Sequence, residues 1–310
     1  HGSAGVLLSL HLLGETVDRS LVDILCEQVR ALRVLPRGVA DGAEGMAWAL
    51  LRMGRPDEAE QLLERCIARG LPGADCPWWA NGTAGIAAVL DRAGAALGRS
   101  DLTRMAEQQR RLTCEALESG PPGRAGLLHG WAGVGLALLS SRGSDPSGEQ
   151  AVAALRLERG QLSLDGWVLT AVNGCRHVPY LGHGGLAAAL LARMVPSGSF
   201  DGDAGLSLLA AAEASCCSPH VLEAGLLRGR AGFLMALRTL APDDRMSAEH
   251  TRRLRWGCTR TTDRDGALRT VVLGRAGARA SLDLASGSAG VALSLTPDPW
   301  AVVGDALALA

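Results

Sequence analysis

Two histidines of this chain stand immediately before a glycine in a short turn, His129 in "HGWAG" and His183 in "HGGLA". A histidine side chain has an unperturbed pKa of about 6.5, so it can accept and release protons near neutral pH. Both residues are therefore candidates for general acid–base catalysis. His1 stands in the same context, "HGSAG". A histidine before this glycine can therefore equally have a structural role, as a capping or packing residue of the turn.

The same type of turn recurs along the whole chain, and we call each copy an elbow, numbered 1 to 7 in chain order. The elbows have their first glycine at Gly2, Gly42, Gly82, Gly130, Gly184, Gly229 and Gly287. In six of the seven elbows a second glycine follows three residues later, and in elbow 5 that position is Ala187. Each elbow is followed by an apolar run such as "IAAVLDRAG", which predicts a helix buried on most sides.

Segments with a single apolar face lie between these buried helices. Examples are Ser20–Leu32, Pro56–Gly70 and Leu102–Gly120. Seven pairs of a buried and a half-exposed helix predict an all-α fold, an α/α toroid of seven helix pairs with inner and outer rings. Two further segments, Gly160–Val172 and Thr261–Gly274, carry Asp-Gly between β-type runs and predict short β-hairpin insertions.

Glycine at each elbow has two expected uses. It permits a positive φ angle, and it lets neighbouring backbone segments approach closely. A bare turn also leaves N–H groups free at the start of the helix. The repeat therefore predicts a ring of helix N-termini around one central cavity.

Composition limits the classes of function. The chain has 310 residues, of which 47% are hydrophobic and 20% charged, and its net charge is −1, which argues against nucleic-acid and membrane-surface partners. The eight cysteines are scattered without a Cys-x-x-Cys motif, unlike a secreted disulfide scaffold. Without a signal peptide or an apolar run of membrane-spanning length, the chain is expected to be cytoplasmic. Residues 1–310 contain no evident linker and are predicted to form a single domain, a fragment of a larger protein.

Four motifs in order carry a resemblance to a known family: "LLHGWAGVGLALL" (Leu127–Leu139), "VPYLGHGGLAAALL" (Val178–Leu191), "GLLRGRAGFLMAL" (Gly225–Leu237) and "SLDLASGSAGVALSL" (Ser281–Leu295). They resemble the lanthionine synthetase C-like family, and most of all the C-terminal cyclase domain of class III lanthipeptide synthetases. The resemblance covers essentially the whole chain. It implies an α/α toroid, a ribosomal precursor peptide as partner, and kinase and lyase domains on the same natural chain. It also implies thioether formation by addition of a Cys thiol to dehydroalanine or dehydrobutyrine.

The resemblance also bears on metal binding. Zinc-dependent members of the family place a Cys in elbow 5 and a Cys-His pair in elbow 6, where this chain has Gly182, Leu227 and Arg228. Class III domains similarly lack these ligands, so we expect neither a metal nor another cofactor. Two other groups, "CRH" with His183 and "CCSPH", remain alternatives for a metal site, although neither has a standard spacing.

Without zinc, a thiol with a pKa of about 8.5 needs a base or a nearby cation to react. His129 matches the histidine that the family uses before the glycine of elbow 4, and His183 has the same place in elbow 5. Arg228 could favour a thiolate or an enolate-like transition state, and Tyr180 lies next to that site. These four are the candidate catalytic residues.

Five further residues are candidates for contacting the peptide: Trp78, Trp79, Trp131, Arg230 and Asp41. For the three tryptophans the alternative is packing over the core. For Arg228 and Arg230 the alternative role is structural, with the guanidinium bonded to carbonyl groups or to an acid such as Asp283. For Asp41 it is helix capping. Where the family has an Asp, four residues before the first glycine of elbow 3, this chain has Trp78.

The predicted function is a zinc-independent lanthipeptide cyclase domain that forms lanthionine or labionin rings. The alternative is a non-catalytic module that binds the precursor peptide for attached kinase and lyase domains. A different α/α-barrel enzyme, such as a glycosidase or a prenyl cyclase, is disfavoured, because few acids lie in the elbows and no Asp-rich motif occurs.

Overall fold

The structure is a computed structural model, and it describes residues 2–120, 124–141, 148–165, 168–171, 179–196, 200, 202–218, 221, 223–242, 244–262, 265–274 and 279–309. Fourteen helices lie within these described residues. They are α1 (Gly2–Leu12), α2 (Arg19–Ala31), α3 (Ala43–Arg52), α4 (Pro56–Ala68), α5 (Thr83–Leu97), α6 (Ser100–Ser119), α7 (Trp131–Ser140), α8 (Glu149–Gly160), α9 (Leu186–Met194), α10 (Gly202–Cys216), α11 (Arg230–Leu240), α12 (Met246–Trp256), α13 (Ser288–Ser294) and α14 (Pro299–Ala306). None of these helices is both long and apolar enough to cross a membrane.

The predicted all-α fold is confirmed. Each elbow leads into an odd-numbered helix, and most residues of these helices from α3 onward are buried. The three predicted amphipathic segments form α2, α4 and α6, with ends that differ from the prediction by at most two residues. Helix α4 begins with Pro56 at its first turn, followed by two acidic residues, as the helix-start signal predicts.

The odd-numbered helices pack against one another in a closed cycle. Helix α1 contacts α3, and the contacts continue through α5, α7, α9 and α11 to α13, which in turn contacts α1. Each even-numbered helix packs against the odd-numbered helix before it. This closed cycle of inner helices, each with a partner helix, is the arrangement that a toroid of seven pairs requires.

The seventh pair differs from the predicted arrangement, because α14 is not only an outer helix. It contacts α1 and α11 as well as α13. Its Asp305 also reaches α3, since the backbone oxygen accepts a hydrogen bond from Trp48 Nε1 at 2.8 Å and the carboxylate pairs with Arg52 at 2.5 Å. Arg52 is the last residue of α3. Helix α14 therefore reaches the C-terminal end of α3, the end opposite elbow 2.

Both predicted hairpins are confirmed. Strands β1 (Leu162–Asp165) and β2 (Val168–Ala171) pair antiparallel, and their turn lies outside the described residues. Strands β3 (Cys258–Thr262) and β4 (Leu268–Leu273) form the second hairpin. A short strand β5 (Ala280–Ser281), which the sequence did not predict, pairs with β4.

The glycines of elbows 2 to 7 are needed for close approach and not for positive φ. A Cβ built on Gly133 would lie 1.9 Å from the carbonyl oxygen of Leu127, six residues earlier, and Gly85 has the same relation to Trp79. The first glycine of elbow 4, Gly130, has a φ of −114°, an ordinary extended value. Of the seven first glycines only Gly2 has a positive φ, so that part of the prediction is wrong.

Backbone hydrogen bonds connect one elbow to the next. In each elbow from 2 to 6, the residue two positions before the first glycine donates its N–H to the carbonyl oxygen of the equivalent residue in the following elbow, over 2.8–3.1 Å. The bonds run from Ala40 to Ala80, Leu128, Gly182, Leu227 and Ala285 in turn. The elbows are thereby held beside one another at one end of the ring, where the candidate residues lie.

Candidate functional site

The structure brings His129 and His183 together. Their imidazole rings are stacked, with centroids 5.9 Å apart and an angle of 4° between the planes. The elbow-to-elbow bonds explain this arrangement, because Leu128 N donates to Gly182 O over 3.1 Å, one residue before each histidine. Residues equivalent in two adjacent elbows therefore present equivalent side chains side by side.

His129 has the electrostatics of a neutral base. Its side chain is half-buried, and its Nδ1 is buried without a hydrogen-bond partner among the described residues. Burial lowers the pKa of His129 below its usual 6.5, and the positive charge of Arg124 lowers it further, whereas Asp41 acts in the opposite direction. The imidazole is therefore neutral at neutral pH and able to accept a proton.

Tyr180 and Arg228 lie on the side of His183 that faces elbow 6. The ring of Tyr180 is half-buried, 6.0 Å from that of Phe233. Burial raises the pKa of Tyr180, as does the charge of Glu223, while Arg228 lowers it. The phenol accordingly remains protonated at neutral pH and can donate a hydrogen bond. Arg228 itself is exposed, so its guanidinium is accessible to a ligand.

Arg230 is placed differently, since only 7% of it is exposed. Its guanidinium donates to the carbonyl oxygen of Val221 over 2.6 Å and lies 2.9 Å from His250 Nδ1. Burial lowers the pKa of Arg230. These contacts correspond to the alternative in which the arginine is bonded to carbonyl groups, and they leave little of the guanidinium for a peptide.

Two of the three candidate tryptophans are buried, and the third is partly accessible. Trp79 and Trp131 are each 1% exposed, whereas Trp78 is partly exposed. Trp78 packs edge-to-face on Trp131, with ring centroids 5.2 Å apart. Only Trp78 of the three presents appreciable surface to a ligand.

Asp41 lies at the rim of a cavity in the hub of the ring. The cavity is partly open to solvent and has mostly apolar walls that include Leu8, Val39 and Trp79. Residues at the end of α14, among them Leu307, also line it. Asp41 is exposed, and it directly precedes Gly42, the N-cap residue of α3.

The three positions where the family's zinc-dependent members have ligands are adjacent. Gly182 N donates to Leu227 O over 2.8 Å, and Arg228 follows directly. Zinc requires Cys, His or carboxylate ligands, which these residues do not provide, so a zinc ion does not fit this position. Within the described parts of the chain, no three His, Cys, Asp or Glu side chains converge.

The other suggested metal groups fall mainly outside the described residues, which exclude Cys175, His177 and His220. His1 is outside them as well. Cys216 is fully buried, and burial raises the pKa of its thiol well above the usual value. That thiol is therefore a poor source of thiolate.

The sequence interpretation missed Glu158, a fully buried glutamate of α8. Its carboxylate accepts hydrogen bonds from the backbone N–H groups of Gly126 at 2.6 Å and Ala132 at 3.2 Å. Burial raises the pKa of Glu158 to about 7, although the N–H groups act against the rise. A signal existed, because Ala151, Leu155 and Glu158 fall on one helical face and the first two are apolar.

Comparison with known proteins gives one informative similarity. No family model matches the chain. The chain is 31% identical, over 332 aligned positions, to a protein named "Probable SapB synthase" from Streptomyces coelicolor. The alignment covers 99% of this chain but 34% of that protein. The chain is thus similar, over almost its whole length, to about one third of the SapB synthase.

Proposed function

We propose that this chain is a zinc-independent cyclase domain of lanthipeptide biosynthesis, acting on a dehydrated ribosomal precursor peptide. The similarity to the SapB synthase, a lanthipeptide synthetase, supports a role in this pathway, as do the motifs of elbows 4 to 7. The observation that carries the proposal is the stacked pair of His129 and His183 at the elbow end of the ring, with a lowered pKa at His129.

The proposed reaction is addition of a Cys thiol to a dehydrated Ser or Thr residue. His129 takes the proton from the thiol, and the sulfur forms a bond to Cβ of the dehydroamino acid. The electrons of the C=C bond move towards the peptide carbonyl, giving an enolate-like charge that Arg228 stabilises. A proton then adds to Cα, so thiol and alkene combine into a thioether with no atom lost.

The other residues have supporting roles in this proposal. His183 holds the plane of the His129 ring and can relay its proton. Tyr180, protonated at neutral pH, donates a hydrogen bond to the developing enolate oxygen. Trp78 and Asp41 are the proposed peptide contacts, with the apolar hub cavity beside them. Trp79, Trp131 and Arg230, which are buried, are proposed to hold the elbows that present these contacts.

A second candidate is a non-catalytic module that holds the precursor peptide for kinase and lyase domains. The presence of Trp78 where the family has an Asp favours it, because one potential proton-transfer group is missing. The chain spans 34% of the SapB synthase, so such additional domains are part of either proposal.

The two candidates make different predictions for a rate measurement. The purified chain is mixed with a dehydrated precursor peptide, and loss of free thiol and ring formation are followed by mass spectrometry. The cyclase proposal expects acceleration that falls to the uncatalysed rate in the His129→Asn, His183→Asn, Arg228→Gln triple variant, with peptide affinity largely kept. Binding by the unaltered chain without any acceleration supports the module instead. Acceleration that survives in the triple variant contradicts the assigned residues.

A further inference from the structure

We propose that Glu158 is a positioning residue that sets the geometry of the His129–His183 pair. The geometric part of this inference stands by itself, and its catalytic consequence rests on the function proposed above.

Glu158 reaches the elbow of His129 from a different helix. It belongs to α8, and its two carboxylate oxygens accept from Gly126 N and Ala132 N. These two residues lie three positions before and three positions after His129. One fully buried carboxylate therefore joins both ends of the segment that carries the histidine.

The same contact extends to His183 through Gly126. This glycine has a φ of +107°, and a Cβ built on it would lie 2.7 Å from Gly182 O and 2.8 Å from the Cα of His183. The backbone of Gly126 thus lies directly against the elbow of His183. By fixing Gly126, Glu158 fixes the spacing between the two imidazole-bearing segments.

Elbow 2 provides an internal comparison. There Gly38, with a φ of +109°, donates its N–H to the buried carboxylate of Glu44 over 2.6 Å. A Cβ on Gly38 would lie 2.5 Å from the Cα of Asn81, which is the residue equivalent to His183 in the next elbow. Among the described residues, a positive-φ glycine bonded to a buried carboxylate and packed on the next elbow therefore occurs in elbows 2 and 4.

The two elbows differ in the origin of the carboxylate. Glu44 lies six residues after Gly38, and the residue six positions after Gly126 is Ala132. In elbow 4 the carboxylate comes from α8 instead, and it bonds the N–H of that alanine. Arg69 also pairs with Glu44, at 3.2 Å, whereas no cation pairs with Glu158 among the described residues. Among the described residues, the carboxylate of Glu158 is therefore held by backbone N–H groups alone.

The test uses the imidazole NMR signals of His129 and His183, which report ring environment without requiring activity. We expect Glu158→Gln and Glu158→Ala to shift both sets of signals and to lower kcat for ring formation by about 10- to 100-fold, with KM changed less than about twofold. Glu44→Gln is the matched control, because it weakens the equivalent contact in elbow 2. We expect Glu44→Gln to lower the free energy of unfolding about as much as Glu158→Gln does, while leaving the NMR signals of His183 unchanged.

A relocation variant separates positioning from a general structural role. Glu158→Ala combined with Ala132→Glu places the carboxylate where elbow 2 has it, and we expect it to restore the histidine signals and kcat. Unchanged histidine signals in folded Glu158→Gln and Glu158→Ala proteins would overturn the proposal. If the signals shift as expected but the unaltered chain forms no rings, the positioning role stands and the proposed function fails.

Discussion

At the scale of single residues, the proposed chemistry depends on a histidine kept neutral by its surroundings. The sequence identified His129 and His183 from their place before an elbow glycine, and the structure stacks their rings. The sequence could not reveal the lowered pKa of His129, which results from burial and from the charge of Arg124. Nor could it distinguish Arg228 from Arg230, because two residues in one short motif differ only in the direction in which they point.

The two arginines should respond differently to substitution. Arg230→Gln removes the guanidinium that bonds the buried carbonyl of Val221 and contacts Nδ1 of His250, so we expect the free energy of unfolding to fall by about 1–3 kcal/mol. Arg228→Gln removes an exposed side chain and should change the free energy of unfolding by less than about 0.5 kcal/mol. Urea unfolding of both variants provides the measurement. Equal losses in the two variants would contradict the assignment.

Glu158 should make stability depend on pH. Its pKa is about 7 in the folded chain against the usual 4.5, so the folded state keeps a proton that the unfolded state releases. Unfolding then becomes easier as pH rises from about 4.5 to about 7, by up to about 3 kcal/mol. Urea unfolding at pH 5 and pH 7.5 measures this slope. Glu158→Gln should remove this contribution, and an identical pH dependence in the variant would show that the carboxyl does not titrate in this range.

At the scale of elements, each elbow from 2 to 7 has a glycine position at which a side chain does not fit. In elbow 4 the second glycine, Gly133, lies against a carbonyl oxygen six residues earlier, and the same relation recurs in elbows 2, 3, 6 and 7. The sequence repeat predicted these elbows and the helices after them because both signals are local. The positions of α14 and β5 could not be predicted in this way, because they depend on contacts with distant helices and strands.

Substitution of glycine by alanine should therefore have opposite effects in two helices. Gly133→Ala places a Cβ 1.9 Å from Leu127 O, and we expect a loss of about 3 kcal/mol or more in the free energy of unfolding. Gly160, at the end of α8, has nothing within 4 Å of its built Cβ. Gly160→Ala should be neutral or stabilising by up to about 1 kcal/mol. Thermal or urea unfolding of both variants tests the pair, and similar effects would show that the elbow is not closely packed.

At the scale of the whole molecule, the important feature is the closure of the ring. Helices α1 and α13 lie far apart in sequence yet contact each other, which completes the cycle of inner helices. The elbow end carries the histidine pair. The hub cavity is lined by Asp41 of elbow 2 and by Leu307 at the end of α14. The contact between α1 and α13 agrees with the closed ring that the sequence predicts.

A disulfide can test ring closure. A Cβ built on Gly5 of α1 lies 3.4 Å from the Cβ of Leu284, close to the spacing of about 3.5–4.5 Å in disulfides. We expect the Gly5→Cys, Leu284→Cys variant to crosslink under mild oxidation, as shown by faster migration on a non-reducing gel and by mass spectrometry of the linked peptides. Gly14→Cys with Leu284→Cys is the control, because nothing lies within 4 Å of a Cβ on Gly14. No crosslink in the first variant, or equal crosslinking in both, would argue for an open arrangement.

The most direct test of the proposed site is the pH dependence of kcat/KM for ring formation on a dehydrated precursor peptide. The unaltered chain should show an acidic limb with an apparent pKa below 6.5, which reports the lowered pKa of His129. In His129→Asn this limb should be absent, and the residual rate should rise only as the thiol itself ionises, around pH 8.5. The same acidic limb in both proteins would show that His129 is not the base.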